Sequence, residues 1–167
     1  MRYKRNFKWI IMLMVFGLLS PLGSCDKDDD DSNALAYVGT WWRMEDDTPG
    51  EEIKQVLDIT ASTWEMKMQF LEAGDWINFV IIKGTSSETN KNLTLTITEI
   101  GVLENPLKMD FYTPSSPEWE TVLADIEMPE TVLAEYIVAG NTITFIIDGN
   151  ADGIFDPIEE ATTFARL

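Results

Sequence analysis

The chain has 167 residues, with 12 basic side chains against 29 acidic ones, no histidine and one cysteine. A formal charge of −17 argues against nucleic acid and anionic headgroups as partners and suits divalent cations. Without histidine, and with a lone cysteine, the sequence offers no zinc site, no Ser-His or Cys-His catalytic pair and no internal disulfide.

The first 24 residues have the layout of a secretory signal. Arg2, Lys4, Arg5 and Lys8 precede an apolar run over 9–19, which is too short to span a bilayer as a lasting helix. Pro21 and Gly23 break any helix ahead of Cys25. Leu22-Gly23-Ser24-Cys25 resembles the lipobox of bacterial lipoproteins in all four positions. The resemblance implies that Cys25 is acylated and becomes the first residue of the mature chain, which accounts for a lone thiol in an oxidising compartment. Several buried acyl chains anchor firmly where one would be marginal. Asp26 to Asp31, with Ser32 and Asn33, form an acidic tether over 25–33 that cannot bury anything. The same run resembles the acidic tag that sends some Gram-negative lipoproteins to the outer face of the outer membrane. Cleavage removes four basic residues and no acidic one, so 8 basic against 29 acidic side chains leave the mature chain at −21.

Residues 34–167 are expected to fold as one domain. Period-two alternation with frequent turn signals predicts an all-β structure. Strands are expected over 37–44 and 53–60, separated by the polar 46–50 segment. Trp64, Met66, Met68 and Phe70 then alternate with Glu65, Lys67 and Gln69, and Ala73-Gly74-Asp75 turns the chain into a strand over 76–83. The Ser/Thr/Asn-rich 84–92 stretch reads as a loop. Leu93, Leu95 and Ile97 alternate with threonines, and 107–112 is a shorter candidate. One helix is expected over 117–126: Ser116 can cap it, Pro117 suits its first position, and Trp119, Val122, Leu123 and Ile126 form one stripe. Ala139-Gly140-Asn141 joins strands over 131–138 and 142–147, and 161–167 is the last strand. Eight or nine antiparallel strands point to a small barrel. The pentapeptide Glu-Thr-Val-Leu-Ala occurs at 120–124 and again at 130–134, a spacing that matches no structural repeat.

Gly39-Thr40-Trp41 on the first strand resembles the Gly-x-Trp signature of the lipocalin family, which pairs that tryptophan with an arginine near the chain end. Arg166 stands in a suitable place. The resemblance covers about 34–167 and implies a lipocalin-like barrel, closed at one end by a guanidinium over the indole. The helix over 117–126 precedes the last strands, whereas the family's usual helix follows the eighth.

A metal loop is legible near the C-terminus. Asp148, Asn150, Asp152, Ile154 through its carbonyl, Asp156 and Glu159 fit the ligand positions of the twelve-residue EF-hand calcium loop, with Gly153 at the sixth position. Strand-like flanks replace the usual helices, so a structural calcium ion pinning the last hairpin is expected. No glycine-rich phosphate loop precedes a helix, and 29 acidic residues single out no pair for glycoside hydrolysis, so no enzymatic activity is expected. The function expected is that of a lipid-anchored binding protein whose Trp64, Met66, Met68 and Phe70 face a small apolar or amphipathic ligand. The alternative is a surface interaction or glycan-capture module with a solid β core, using Trp42 or Trp76.

Overall fold

The computed structural model describes residues 35–45, 52–90, 92–105, 108–148, 155 and 161–167. The signal segment, Cys25, the acidic tether, the 46–50 turn, Leu107 and the loop positions Asn150, Asp152, Ile154, Asp156 and Glu159 lie outside the described residues.

Nine strands and one short helix are present among the described residues. They run β1 (Gly39–Glu45), β2 (Ile53–Ile59), β3 (Thr63–Glu72), β4 (Asp75–Thr89), β5 (Asn92–Asn105), β6 (Lys108–Tyr112), α1 (Trp119–Asp125), β7 (Thr131–Ala139), β8 (Thr142–Ile147) and β9 (Ala161–Arg166). Every pairing is antiparallel. β1 pairs with both β2 and β9, and β4 with both β3 and β5, so eight strands close into a barrel with β6 as an extra strand. This is the all-β barrel with one short helix that the alternation predicts, and the architecture is compatible with a lipocalin-like barrel. Closure removes the open edges that an eight-stranded sheet would otherwise expose.

Neighbouring strands pair in register, so inward residues line up in rows across β1 to β4. These rows are Gly39–Ile59–Trp64–Gly84, Trp41–Leu57–Met66–Ile82, Arg43–Gln55–Met68–Val80 and Glu45–Ile53–Phe70–Ile77. The core runs along these rows and continues through Leu93, Ile97, Ile100, Ile143, Phe145 and Phe164. α1 precedes the start of β7, on the side of the barrel where β1 ends, and adds Trp119, Leu123 and Ile126 to the same core.

Two expectations about boundaries need correction. The 84–92 stretch is not a loop: β4 continues to Thr89 and pairs with β5 as far as Asn92. Ser86 is buried on that extension and bonds the Thr60 carbonyl, while Thr85, Ser87 and Thr89 alternate with it on the exposed face, so a strand with a polar outer face carries the composition of a loop. α1 begins at Trp119, two residues later than the 117–126 reading, and Glu118 occupies the cap position without a side-chain cap bond. The Ser116 hydroxyl instead accepts from the Thr113 N–H at 3.0 Å, closing the turn that leads into the helix.

Candidate functional site

The two ends of the barrel are built differently. At the Gly39 end large side chains fill the interior. Trp41 is fully buried and donates its indole N–H to the Tyr37 carbonyl at 2.9 Å. Tyr37 meets Tyr136 edge-on at 5.2 Å, and Tyr136 donates to Glu88 at 2.6 Å. Arg166 lies with its guanidinium carbon 5.1 Å from the centre of the Trp41 ring and donates to the Val38 carbonyl at 3.3 Å. Gly39 has a φ of +150°, and a Cβ there would stand 3.2 Å from the Arg166 Nη2. The backbone conformation and the close guanidinium both favour glycine at this position. The structure thus brings Gly39, Trp41 and Arg166 together.

Trp64, Met66, Met68 and Phe70 share the inner face of β3. Trp64 and Met68 are buried in the core, Met66 is half-buried against it, and Phe70 is half-buried near the Glu45 end. Trp64 lies over Gly84, whose missing side chain gives it room: a Cβ at Gly84 would fall 2.4 Å from the indole nitrogen. A register shift between Met68 and Gln69 frees Phe79 from the ladder, and its ring approaches Phe70 at 5.9 Å.

At the Glu45 end the rows turn polar. Arg43 and Glu45 follow Trp41 at two-residue steps, and so share its inward face on β1. Gln55, paired with Arg43, is only 2% exposed. Arg43 donates Nε to the Gln55 Oε1 at 2.7 Å and Nη2 to the Glu45 Oε1 at 2.5 Å. Gln55 donates Nε2 to the Glu45 Oε2 at 3.2 Å, which completes a ring of three side chains. The Arg43 guanidinium also stands 5.5 Å over the Phe164 ring, and Phe164 meets Phe145 edge-on. With 18% and 10% of their side chains exposed, Arg43 and Glu45 form an ion pair largely withdrawn from water. Such a pair brings little net stability, because desolvation offsets most of the attraction.

Sequence alternation did not single out this cluster. Its signal is the placement of Arg43, Glu45 and Gln55 in phase with Trp41 and Leu57, opposite to the competing apolar phase of Trp42, Met44 and Val56.

Of the calcium-loop positions the structure describes Asp148, which is buried where the chain leaves β8 and donates its N–H to the Leu133 carbonyl at 3.0 Å. On the outer wall Lys54 stands 5.8 Å from the ring centres of both Trp42 and Trp76, so these two indoles are neighbours across one cation. No helix among the described residues is long and apolar enough to cross a membrane. No protein-family model matches the chain, and no curated protein matches it.

Proposed function

We propose that this chain is a lipid-anchored binding protein of the bacterial cell envelope, lipocalin-like in its barrel, which holds a small apolar or amphipathic ligand at the Glu45 end. The observation that carries the reading is the asymmetry of the interior: one end is lined by Tyr37, Trp41 and Tyr136, while the other, on the side of α1, combines Met68, Phe70 and Phe79 with a hydrogen-bonded polar ring. Ligand sites in small barrels have this make-up, with apolar walls and a few placed polar groups. The role is binding and not catalysis.

The lipobox and the acidic run support the rest of the reading. Acylated Cys25 anchors the protein in the outer membrane of a Gram-negative bacterium, and the tether holds the barrel on the cell surface. A structural calcium ion sits in the β8–β9 connection, held by Asp148, Asn150, Asp152, the Ile154 carbonyl, Asp156 and Glu159.

Native mass spectrometry of residues 26–167, purified without added ligand and recorded before and after a chelator, tests both parts. The expected spectrum carries one calcium that the chelator removes, and a small-molecule adduct that it does not. A chain that stays bare in millimolar calcium would sink the metal reading.

A second reading rests on the outer wall. Trp42 and Trp76 flanking Lys54 would suit capture of a surface glycan, with sugar rings against the indoles. Replacing both tryptophans by alanine would abolish glycan binding on this reading and leave an interior ligand in place.

A further inference from the structure

The geometry points to the chemistry of the occupant: an amphipathic molecule whose polar head is uncharged and both donates and accepts hydrogen bonds, such as an amide or an alcohol, recognised by Gln55. This deepens the binding reading above and rests on it.

The argument starts from what the polar ring has already satisfied. Arg43 is the cation of the ring, and its guanidinium is matched by the Glu45 carboxylate at 2.5 Å. A ligand carboxylate would have to compete with Glu45 for Arg43, and would enter a chain whose mature charge of −21 repels anions. A ligand cation would have to compete with Arg43 and Gln55 for Glu45, whose two oxygens already accept from them. Neither sign of charge gains an unmatched counterion from this ring.

Gln55 differs. Its carboxamide has two N–H donors and two acceptor lone pairs. The ring uses one N–H on Glu45 and one lone pair on Arg43. One donor and one acceptor therefore remain on a side chain 2% exposed to solvent. Their complement is a group that presents an acceptor and a donor side by side, as an amide or hydroxyl does. The apolar part of the ligand has Met68 as its nearest wall, since Met68 pairs with Gln55, with Phe70 and Phe79 beyond it.

The test uses residues 26–167, because the closed barrel draws its strands and core from 35–167. N-Phenyl-1-naphthylamine, an apolar fluorescent probe, is bound first and then displaced by decanamide, decanoate and decylammonium below their aggregation thresholds. Decanamide is expected to displace the probe at about one tenth the concentration that decanoate or decylammonium needs, the ratio expected of one additional hydrogen-bond pair. The near-isosteric Gln55→Met is expected to erase that preference, bringing the three heads to within about twofold of one another. If decanoate or decylammonium equals decanamide, or if Gln55→Met keeps the preference, the head-group assignment is overturned while the ligand reading stands. If neither the probe nor any of the three amphiphiles binds, the ligand reading fails and takes this inference with it. Should Gln55→Met fail to fold by circular dichroism, the ranking of the three heads on the native sequence decides the question alone.

Discussion

Tyr37, Tyr112 and Tyr136 are all held protonated by their surroundings. Burial raises the phenol of Tyr37 above its ordinary value of 10.0, with the Glu88 carboxylate adding to the effect. Burial acts first on Tyr112 too, followed by Glu104. Tyr136 is pushed highest, by burial and by its hydrogen bond to Glu88. A folded-state value above the unfolded one means that the fold binds the proton more tightly. The resulting stability is fully present below about pH 10 and is lost as pH rises from there through the raised folded values. At pH 10 the native protein is therefore expected to show less phenolate absorbance near 295 nm than the guanidinium-unfolded chain, in which about half the tyrosines are ionised. Equal titration of both states would contradict the burial of these rings. At Gly84 the constraint is steric. A Cβ there would lie 2.0 Å from the Thr96 carbonyl oxygen, which is backbone and cannot swing aside, as well as against the Trp64 indole. Gly84→Ala is expected to lower the unfolding free energy by about 3 kcal/mol, the upper part of the range for overpacking, as read from urea denaturation.

The repeated pentapeptide shows how little of an element is decided locally. At 120–124 Glu-Thr-Val-Leu-Ala lies in α1, where Leu123 is buried and Ala124 exposed. At 130–134 the same residues enter β7, where Val132 and Ala134 are buried and Leu133 is 42% exposed. Periodicity decides which side chains are buried: a stripe through Trp119, Leu123 and Ile126 in one case, and alternation with Tyr136 and Val138 in the other. Leu123→Ala is expected to cost about 3 kcal/mol, and Leu133→Ala no more than about 0.5 kcal/mol. Similar losses in thermal or urea unfolding would mean that one of the two elements is wrongly described. Alternation made most strands legible because one face is apolar throughout, as in β3. It failed over 84–89, where Gly84 and Ser86 face inward in phase with Val80 and Ile82 but carry no apolar signal. It failed again at the polar ring. A rule that places charge outward cannot find Arg43 and Glu45 on an inner face, so the residues on which the ligand proposal rests were the least visible in the sequence. The stripe it did find, Trp64 to Phe70, is partly structural: Trp64 is core, and only its Phe70 end approaches the polar ring.

Residues 34–167 carry 24 acidic and 7 basic side chains, so the barrel is held against its own repulsion. Its described ion pairs at the surface, Lys83 with Glu99, Lys67 with Glu65 and Asp58, and Lys108 with Asp110, are individually weak and cannot offset the excess. Screening should therefore stabilise the whole molecule, and the denaturation midpoint is expected to rise as sodium chloride goes from 10 mM to 300 mM, where the Debye length has shortened from about 30 Å to well under 10 Å. This response is unspecific, and it sets the baseline for the calcium proposal. The β8–β9 connection is where specific charge neutralisation would matter, because Asp148 is buried at the end of β8 and the sequence that follows carries Asp152, Asp156, Glu159 and Glu160. For a site in the range of extracellular calcium modules, with a dissociation constant of 10⁻⁴–10⁻³ M, 10 mM calcium is about 10 to 100 times that constant. The linked stabilisation is then about 1.5–3 kcal/mol beyond what sodium at matched ionic strength provides. Glu159→Gln, which removes the bidentate closing ligand, should abolish that increment and leave the sodium response unchanged. If calcium and sodium stabilise the native protein equally at matched ionic strength, the loop is an acidic connection and the anion-rich surface alone accounts for the effect. If calcium adds its increment and Glu159→Gln removes it, the last hairpin of the barrel depends on the ion, and loss of calcium should weaken β9 first, with its contact from Phe164 to Arg43 and hence the polar ring at the Glu45 end.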